Sequence, residues 1–168
     1  CFVGPFARGG SFVYQTSLKG PDIMKSLAEN PITIFPAAPL LWELFMDGII
    51  NKVRAESNFK YRLFTFFLEY GTVMRRIGLS AVVNKIFDPI HAVFGRSHRF
   101  FISGGAPLKE KYRKYYRSMG FTLVEGYGLS ETTGPICLPD PEHNPVGSVG
   151  KVTPGNEIKI IEVNQDGI

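Results

Sequence analysis

The sequence predicts an α/β protein: a largely parallel sheet covered by helices and interrupted by one long helical insertion. Three observations lead there. Short β-rich runs recur between stretches of helical periodicity, at residues 11–15, 32–35, 99–103, 121–125 and 157–163. Two of those runs end in glycine-rich turns. A content of 44% hydrophobic and 13% aromatic residues in 168 residues is enough to build one sizeable core. Strands that alternate with helices lie side by side and parallel, with the helices across the sheet.

Taken in order, the run at 11–15 is followed by a short helix over 22–29, after Gly20-Pro21. The run at 32–35 leads into a second helix over 40–53, with Leu41, Leu44, Phe45 and Ile49 on one face. Phe59, Leu63, Phe66, Phe67, Tyr70, Val73, Met74 and Ile77 keep the spacing of an amphipathic helix, with Lys60, Arg62, Arg75 and Arg76 largely off the stripe. This stripe reads as core-packed, with a membrane-surface helix as the alternative. Val82, Val83, Ile86, Ile90 and Val93 continue a helical pattern that Pro89 should kink or restart. Residues of about 40–95 thus form a helical insertion in an unusually long crossover between strands. After the run at 99–103, a stripe of Leu108, Tyr112, Tyr115 or Tyr116, and Met119 ends at Gly120, a natural helix stop.

Composition excludes several functions. The net charge of +4 is spread through helical stretches, so nothing selects a nucleic acid as partner. Cys1 and Cys137 suggest neither a disulfide framework nor a cysteine zinc site, and a cytoplasmic setting is expected. The longest apolar stretch, residues 32–45, is broken by Pro36 and Pro39 and is shorter than the roughly 20 residues a membrane span needs. The opening residues have no initiator Met and no signal-peptide pattern, as if the chain were an internal piece of something longer. Of the histidines, His91 is expected to pack in the helical region, and His98 and His143 to face solvent.

Chemistry concentrates in two turns, at about 103–108 and 125–134. In the first, a strand runs into Gly104-Gly105-Ala106-Pro107 and then a helix. Ligands of open α/β sheets sit at the carboxyl ends of strands, and glycines there let a planar group lie against the backbone. The second turn is Glu125-Gly126-Tyr127-Gly128-Leu129-Ser130-Glu131-Thr132-Thr133. Tyr127 could stack on a nucleobase. Ser130, Thr132 and Thr133 offer hydroxyls to phosphate, and Glu131 offers an oxygen ligand suited to Mg2+. A third glycine for a dinucleotide fingerprint is missing, since Glu131 stands in its place; Gly150-Lys151-Val152 is no P-loop, and Ser130 lacks a nucleophile elbow.

Gly104-Gly105-Ala106-Pro107-Leu108, then Glu125 to Thr132, then Gly147-Ser148-Val149-Gly150-Lys151 and Pro154-Gly155 together resemble the adenylate-forming superfamily of acyl- and aryl-CoA synthetases, luciferases and nonribosomal adenylation domains. Residues 31–43, upstream, are similar to the segment that leads into a helical insertion in long-chain fatty acyl-CoA synthetases. The resemblance implies a piece of the large AMP-binding N-terminal domain. It also implies ATP/AMP, Mg2+ and coenzyme A as ligands and a fatty acid as substrate. Gly104, Gly105, Ala106 and Pro107 would line one face of the adenine and Tyr127 the other. Glu125 joins the nucleotide-binding set, and Gly126 and Gly128 would admit the acyl-phosphate junction. Ser130 would contact the α-phosphate, and Glu131 would hold magnesium. An aryl or amino-acid adenylating enzyme and a non-catalytic nucleotide- or membrane-binding module are the alternatives. The phosphate loop, ribose-binding Asp and catalytic Lys of the family are not in this sequence, so the isolated chain is expected to be inactive. Peripheral membrane contact and self-association through uncovered edges are further expectations.

Overall fold

Proline sets two helix starts, with Pro21 and Pro39 in first turns, where a missing N–H costs nothing. The computed structural model describes residues 6–141 and 147–160. Within them the order is α1 (Gly20–Glu29), β1 (Ile34–Ala37), α2 (Pro39–Glu56), α3 (Asn58–Arg76), α4 (Ser80–Val93), β2 (Phe100–Ser103), α5 (Glu110–Met119), β3 (Leu123–Glu125), β4 (Tyr127–Leu129), a 3-10 turn (Ser130–Thr132), β5 (Gly134–Leu138) and β6 (Lys151–Val152).

The expected parallel sheet is present. It has the order β1-β2-β3, with Ala37 beside Ser103 and Ser103 beside Glu125, so all three strands end level with one another. The connection from β1 to β2 runs through α2, α3 and α4, which is the long helical crossover the sequence implied. Trp42 of α2 is the hub of the core. Its ring centroid lies 5.0 Å from that of Phe101 and 5.6 Å from that of Tyr116, and its Nε1 donates to the Ile102 carbonyl. Tyr116 closes the circuit by donating its hydroxyl to the Trp42 carbonyl at 2.9 Å.

Several expectations are corrected. Residues 11–15 form no strand: an alternating run becomes one only where a neighbour accepts its backbone bonds, and no described strand pairs with it. Residues 157–160 are not a strand either, and 161–163 lie outside the described residues. Pro89 does not restart the helix, since α4 runs through it to Val93. His98 packs in place of facing solvent: its ring stacks on Phe101, and its Nδ1 lies 2.5 Å from the Gly95 carbonyl. His143 lies outside the described residues. Leu44 is exposed, and α2 buries Trp42, Phe45 and Met46. The largest correction is in α3, which buries Phe64, Phe67, Leu68 and Gly71 while Phe59, Leu63, Phe66, Tyr70, Val73 and Ile77 stand exposed. A second, antiparallel sheet, β4-β5-β6, was not foreseen.

Candidate functional site

The two turns singled out by their composition leave adjacent parallel strands at the same level. The Gly126 amide donates to the Ser103 carbonyl at 3.0 Å, and the Gly104 amide donates to the Ala37 carbonyl, so both turns start anchored to the sheet. Gly105 takes φ +87°, a left-handed value that a residue with a side chain would resist. A Cβ on Gly104 would instead meet nothing nearer than the Gly126 carbonyl, at 3.7 Å, among the described residues. Ala106 and Pro107 are exposed, and Leu108 is buried as the anchor from which α5 departs.

Beyond β3, the chain turns through Gly126 into β4, which pairs antiparallel with β5. Tyr127 is 44% exposed. Gly128 is crowded by protein: a Cβ there would lie 2.4 Å from the Gly134 carbonyl and 2.7 Å from the Pro135 Cα. Ser130 and Glu131 stand exposed on the 3-10 turn. Thr132 was expected to offer its hydroxyl to phosphate but uses it internally. It accepts the Leu129 amide at 2.9 Å and lies within bonding distance of the Leu129 and Gly134 carbonyls. Thr133 adopts φ 61°, left-handed for a β-branched residue, which turns the chain back into β5.

Glu125 carries contacts that sequence reasoning missed. Its Oε2 accepts the Leu108 amide at 3.0 Å, and its Oε1 is held by the Arg113 guanidinium, with Nε at 2.5 Å. Nothing in the spacing of Arg113 and Glu125 marks them as partners. Only the parallel register, which sets Glu125 beside Ser103, brings them together.

α5, which carries Arg113, is itself fixed at several points. Tyr112 donates to the Asp47 carboxylate, and burial together with that carboxylate pushes its hydroxyl up to about 12. At the carboxyl end of α5, Arg75 donates through Nε to the Ser118 carbonyl and through Nη2 to that of Met119. His91 Nε2 lies 2.9 Å from the same Met119 oxygen, and burial lowers its pKa. The left-handed Gly120 then ends the helix.

Among the described residues no group of three or more His, Cys, Asp or Glu side chains stands together to hold a metal. A single exposed carboxylate such as Glu131 suits Mg2+ only where phosphate oxygens and waters complete the shell, the usual mode for that ion.

The model of the AMP-binding enzyme family matches residues 1–167. The chain belongs to that family. Both turns lie inside the match, and the α/β fold with its parallel sheet is consistent with it. Among similar proteins is a long-chain-fatty-acid–CoA ligase of Mycobacterium bovis, 39% identical over 77 residues, covering 46% of this chain and 13% of that protein. The fatty acyl-CoA synthetase A of Dictyostelium discoideum is 30% identical over 146 residues, covering 85% of this chain and 22% of the relative. A peroxisomal long chain acyl-CoA synthetase of Arabidopsis thaliana is 29% identical over 145 residues, covering 84% and 21%. The chain therefore spans a quarter or less of the length of these relatives. No solved structure matches it.

Proposed function

We propose that this AMP-binding chain supplies the adenine-facing part of an ATP-dependent fatty acid–CoA ligase, in a protein of the length of its relatives. A carboxylate oxygen attacks the α-phosphorus of ATP, the bond to the β-phosphate bridge breaks, and pyrophosphate leaves acyl-AMP behind. The thiol sulfur of coenzyme A then attacks the acyl carbon, AMP departs, and the thiol proton passes to solvent. In this reading Gly104 to Pro107 lie against one face of adenine and Tyr127 stacks on the other. The Ser130 hydroxyl donates to the α-phosphate, Gly126 leaves room for the acyl-phosphate junction, and Glu131 would hold Mg2+, which would supply neutralisation of the charge developing on the phosphates. These groups bind and orient the reactants.

The observation that carries the reading is Gly104. It has no crowding and no left-handed backbone to explain why it is glycine, and it faces the second turn at a strand's carboxyl end. The test is pyrophosphate release by the full-length protein with acids from acetate to oleate, with and without coenzyme A. Release greatest with long acids, thioester formation, and loss of both on Tyr127→Ala or Glu131→Ala are expected. Release only with aryl or amino acids would move the substrate class. No release with any acid would overturn the reading. The isolated chain is expected to release none.

The uncovered α3 stripe supports a second part of the proposal, peripheral contact with a membrane from the cytoplasmic side. Its apolar residues are flanked by exposed Lys60, Arg62 and Arg76, the arrangement of an interfacial helix, and no described helix is long and apolar enough to cross a bilayer. Sedimentation of the full-length protein with anionic vesicles, reduced by Phe66→Asp, is expected. Absence of vesicle binding would assign the stripe to contacts within the protein.

A further inference from the structure

We propose that Arg113 and Glu125 form a strut that sets the separation of the two nucleotide-facing turns, which makes Arg113 a positioning residue for ATP. The proposal rests on the adenine-binding reading above and adds a residue to it.

A slot for a planar base works only if its two walls are held at a fixed gap. Here the walls are the exposed Gly105-Ala106-Pro107 turn after β2 and Gly126-Tyr127 after β3. The sheet fixes where each turn begins, through the Gly126 amide on the Ser103 carbonyl, but not where the first turn returns. Leu108 is that return point. Its amide is bound by Glu125, the residue immediately before Gly126, and its carbonyl lies 3.4 Å from Arg113 Nη2. Arg113 in turn grips the Glu125 carboxylate with both Nε and Nη2. One ion pair thus binds both backbone groups of Leu108 and closes a ring between the end of the first turn and the start of the second.

The chemistry suits a rigid link. A guanidinium presents planar donors in a fixed fork, and charge-assisted bonds to a carboxylate are the stronger kind. The pair is also largely withdrawn from water, with 20% of the Arg113 side chain and 13% of the Glu125 side chain exposed. Among the described residues, the other ion pairs at α5 and its N-cap have more exposed cations, on Lys114 and Lys109, and their carboxylates, Glu69 and Glu43, lie on α3 and α2 and not on a turn of the site. The backbone of Arg113 is secured independently by the flanking Tyr112 and Tyr116 bonds to α2, so the strut pushes against a fixed base.

The test uses the full-length protein carrying Arg113→Ala, Arg113→Lys or Glu125→Gln. It reads KM for ATP, KM for fatty acid, kcat, AMP affinity by calorimetry, and Tm. A one-ångström misplacement in a site can cost on the order of 100-fold. The strut therefore predicts KM for ATP and Kd for AMP raised roughly 10- to 100-fold in Arg113→Ala and Glu125→Gln, with KM for fatty acid within about twofold. Arg113→Lys, which keeps the charge but not the fork, should recover part of the loss. It also decides the matter if Arg113→Ala does not fold. A fall in Tm with unchanged AMP affinity in the folded variants would make the pair merely structural and overturn the strut. Absence of AMP binding by the unaltered protein would instead overturn the adenine-binding reading beneath it.

Discussion

The proposed function gives two glycines of the candidate site opposite reasons to be glycine, and alanine tells them apart. At Gly104 a methyl group has room: the nearest described atom would be 3.7 Å away, an ordinary van der Waals contact, and the backbone is not left-handed. Gly104→Ala should therefore leave Tm unchanged or raise stability by about 0.4–1 kcal/mol, through the lower entropy of the unfolded chain. A base resting on this backbone at about 3.5–4.0 Å would, however, meet a carbon projecting about 1.5 Å from Cα. That carbon would push the base away by on the order of an ångström, and a misplacement of that size can cost on the order of 100-fold, so KM for ATP should rise roughly 10- to 100-fold. At Gly128 the methyl carbon would fall 2.4 Å from the Gly134 carbonyl, about 0.6 Å inside the closest distance that real contacts show. β4 would have to move off β5, an overpacking cost of about 1–3 kcal/mol. Gly128→Ala should lower Tm whether or not ATP is present. Pyrophosphate release against ATP concentration, together with thermal unfolding of both variants, reads the contrast in the full-length protein. An unchanged KM for ATP in Gly104→Ala would refute the reasoning at the point on which the proposed function stands. An undiminished Tm in Gly128→Ala would refute the packing argument.

Other consequences are simpler to check. Ser103 Oγ is buried with no hydrogen-bond partner among the described residues, so Ser103→Ala should be neutral or stabilising by up to about 1 kcal/mol. A loss above that in denaturant unfolding would mean the hydroxyl is bonded. His91 is held below its ordinary 6.5, first by burial and also by the nearby His98 and Arg75, against the opposing pull of the Met119 carbonyl and Asp88. The unfolded chain therefore takes up this proton first. Stability is full above about pH 6.5 and declines as pH falls through the folded His91 value, and His91→Gln should flatten that part of the profile. Tyr116→Phe removes the bond to the Trp42 carbonyl and should cost about 1 kcal/mol in chemical unfolding.

The parallel sheet, its long helical crossover and both glycine turns were legible because each has a local chemical cause. β-rich runs alternate with helical periods, and Gly-Gly-Ala-Pro and Gly-Tyr-Gly leave few other conformations open. β4, β5 and β6 were not legible. β4 and β6 span only Tyr127–Leu129 and Lys151–Val152, too short for an alternation to show, and their strand character comes from pairing. The use of the Thr132 hydroxyl within its own turn was equally hidden, because a Thr in a glycine-rich loop looks the same whether it caps the turn or waits for a phosphate.

The α3 reversal shows where periodicity itself stops being informative. Phe59, Leu63, Phe66, Tyr70, Val73 and Ile77 form a longer and more regular apolar row than the one that is buried, Phe64, Phe67, Leu68 and Gly71. A count of apolar residues therefore selects the wrong face. What decides is how closely a neighbouring helix can approach. At Gly71 a Cβ would lie 3.0 Å from the Ser118 carbonyl of α5, and one residue later the Thr72 and Ser118 hydroxyls meet at 3.1 Å. The face that carries the smallest residue takes the tightest contact, and the large side chains around it fill the remaining core. The apolar row left outside is then surplus to the core of the described residues. Gly71→Leu should lower Tm sharply by forcing α3 off α5, while Phe66→Asp should leave Tm within a few degrees. Equal destabilisation by both would mean that the exposed row is part of the core after all.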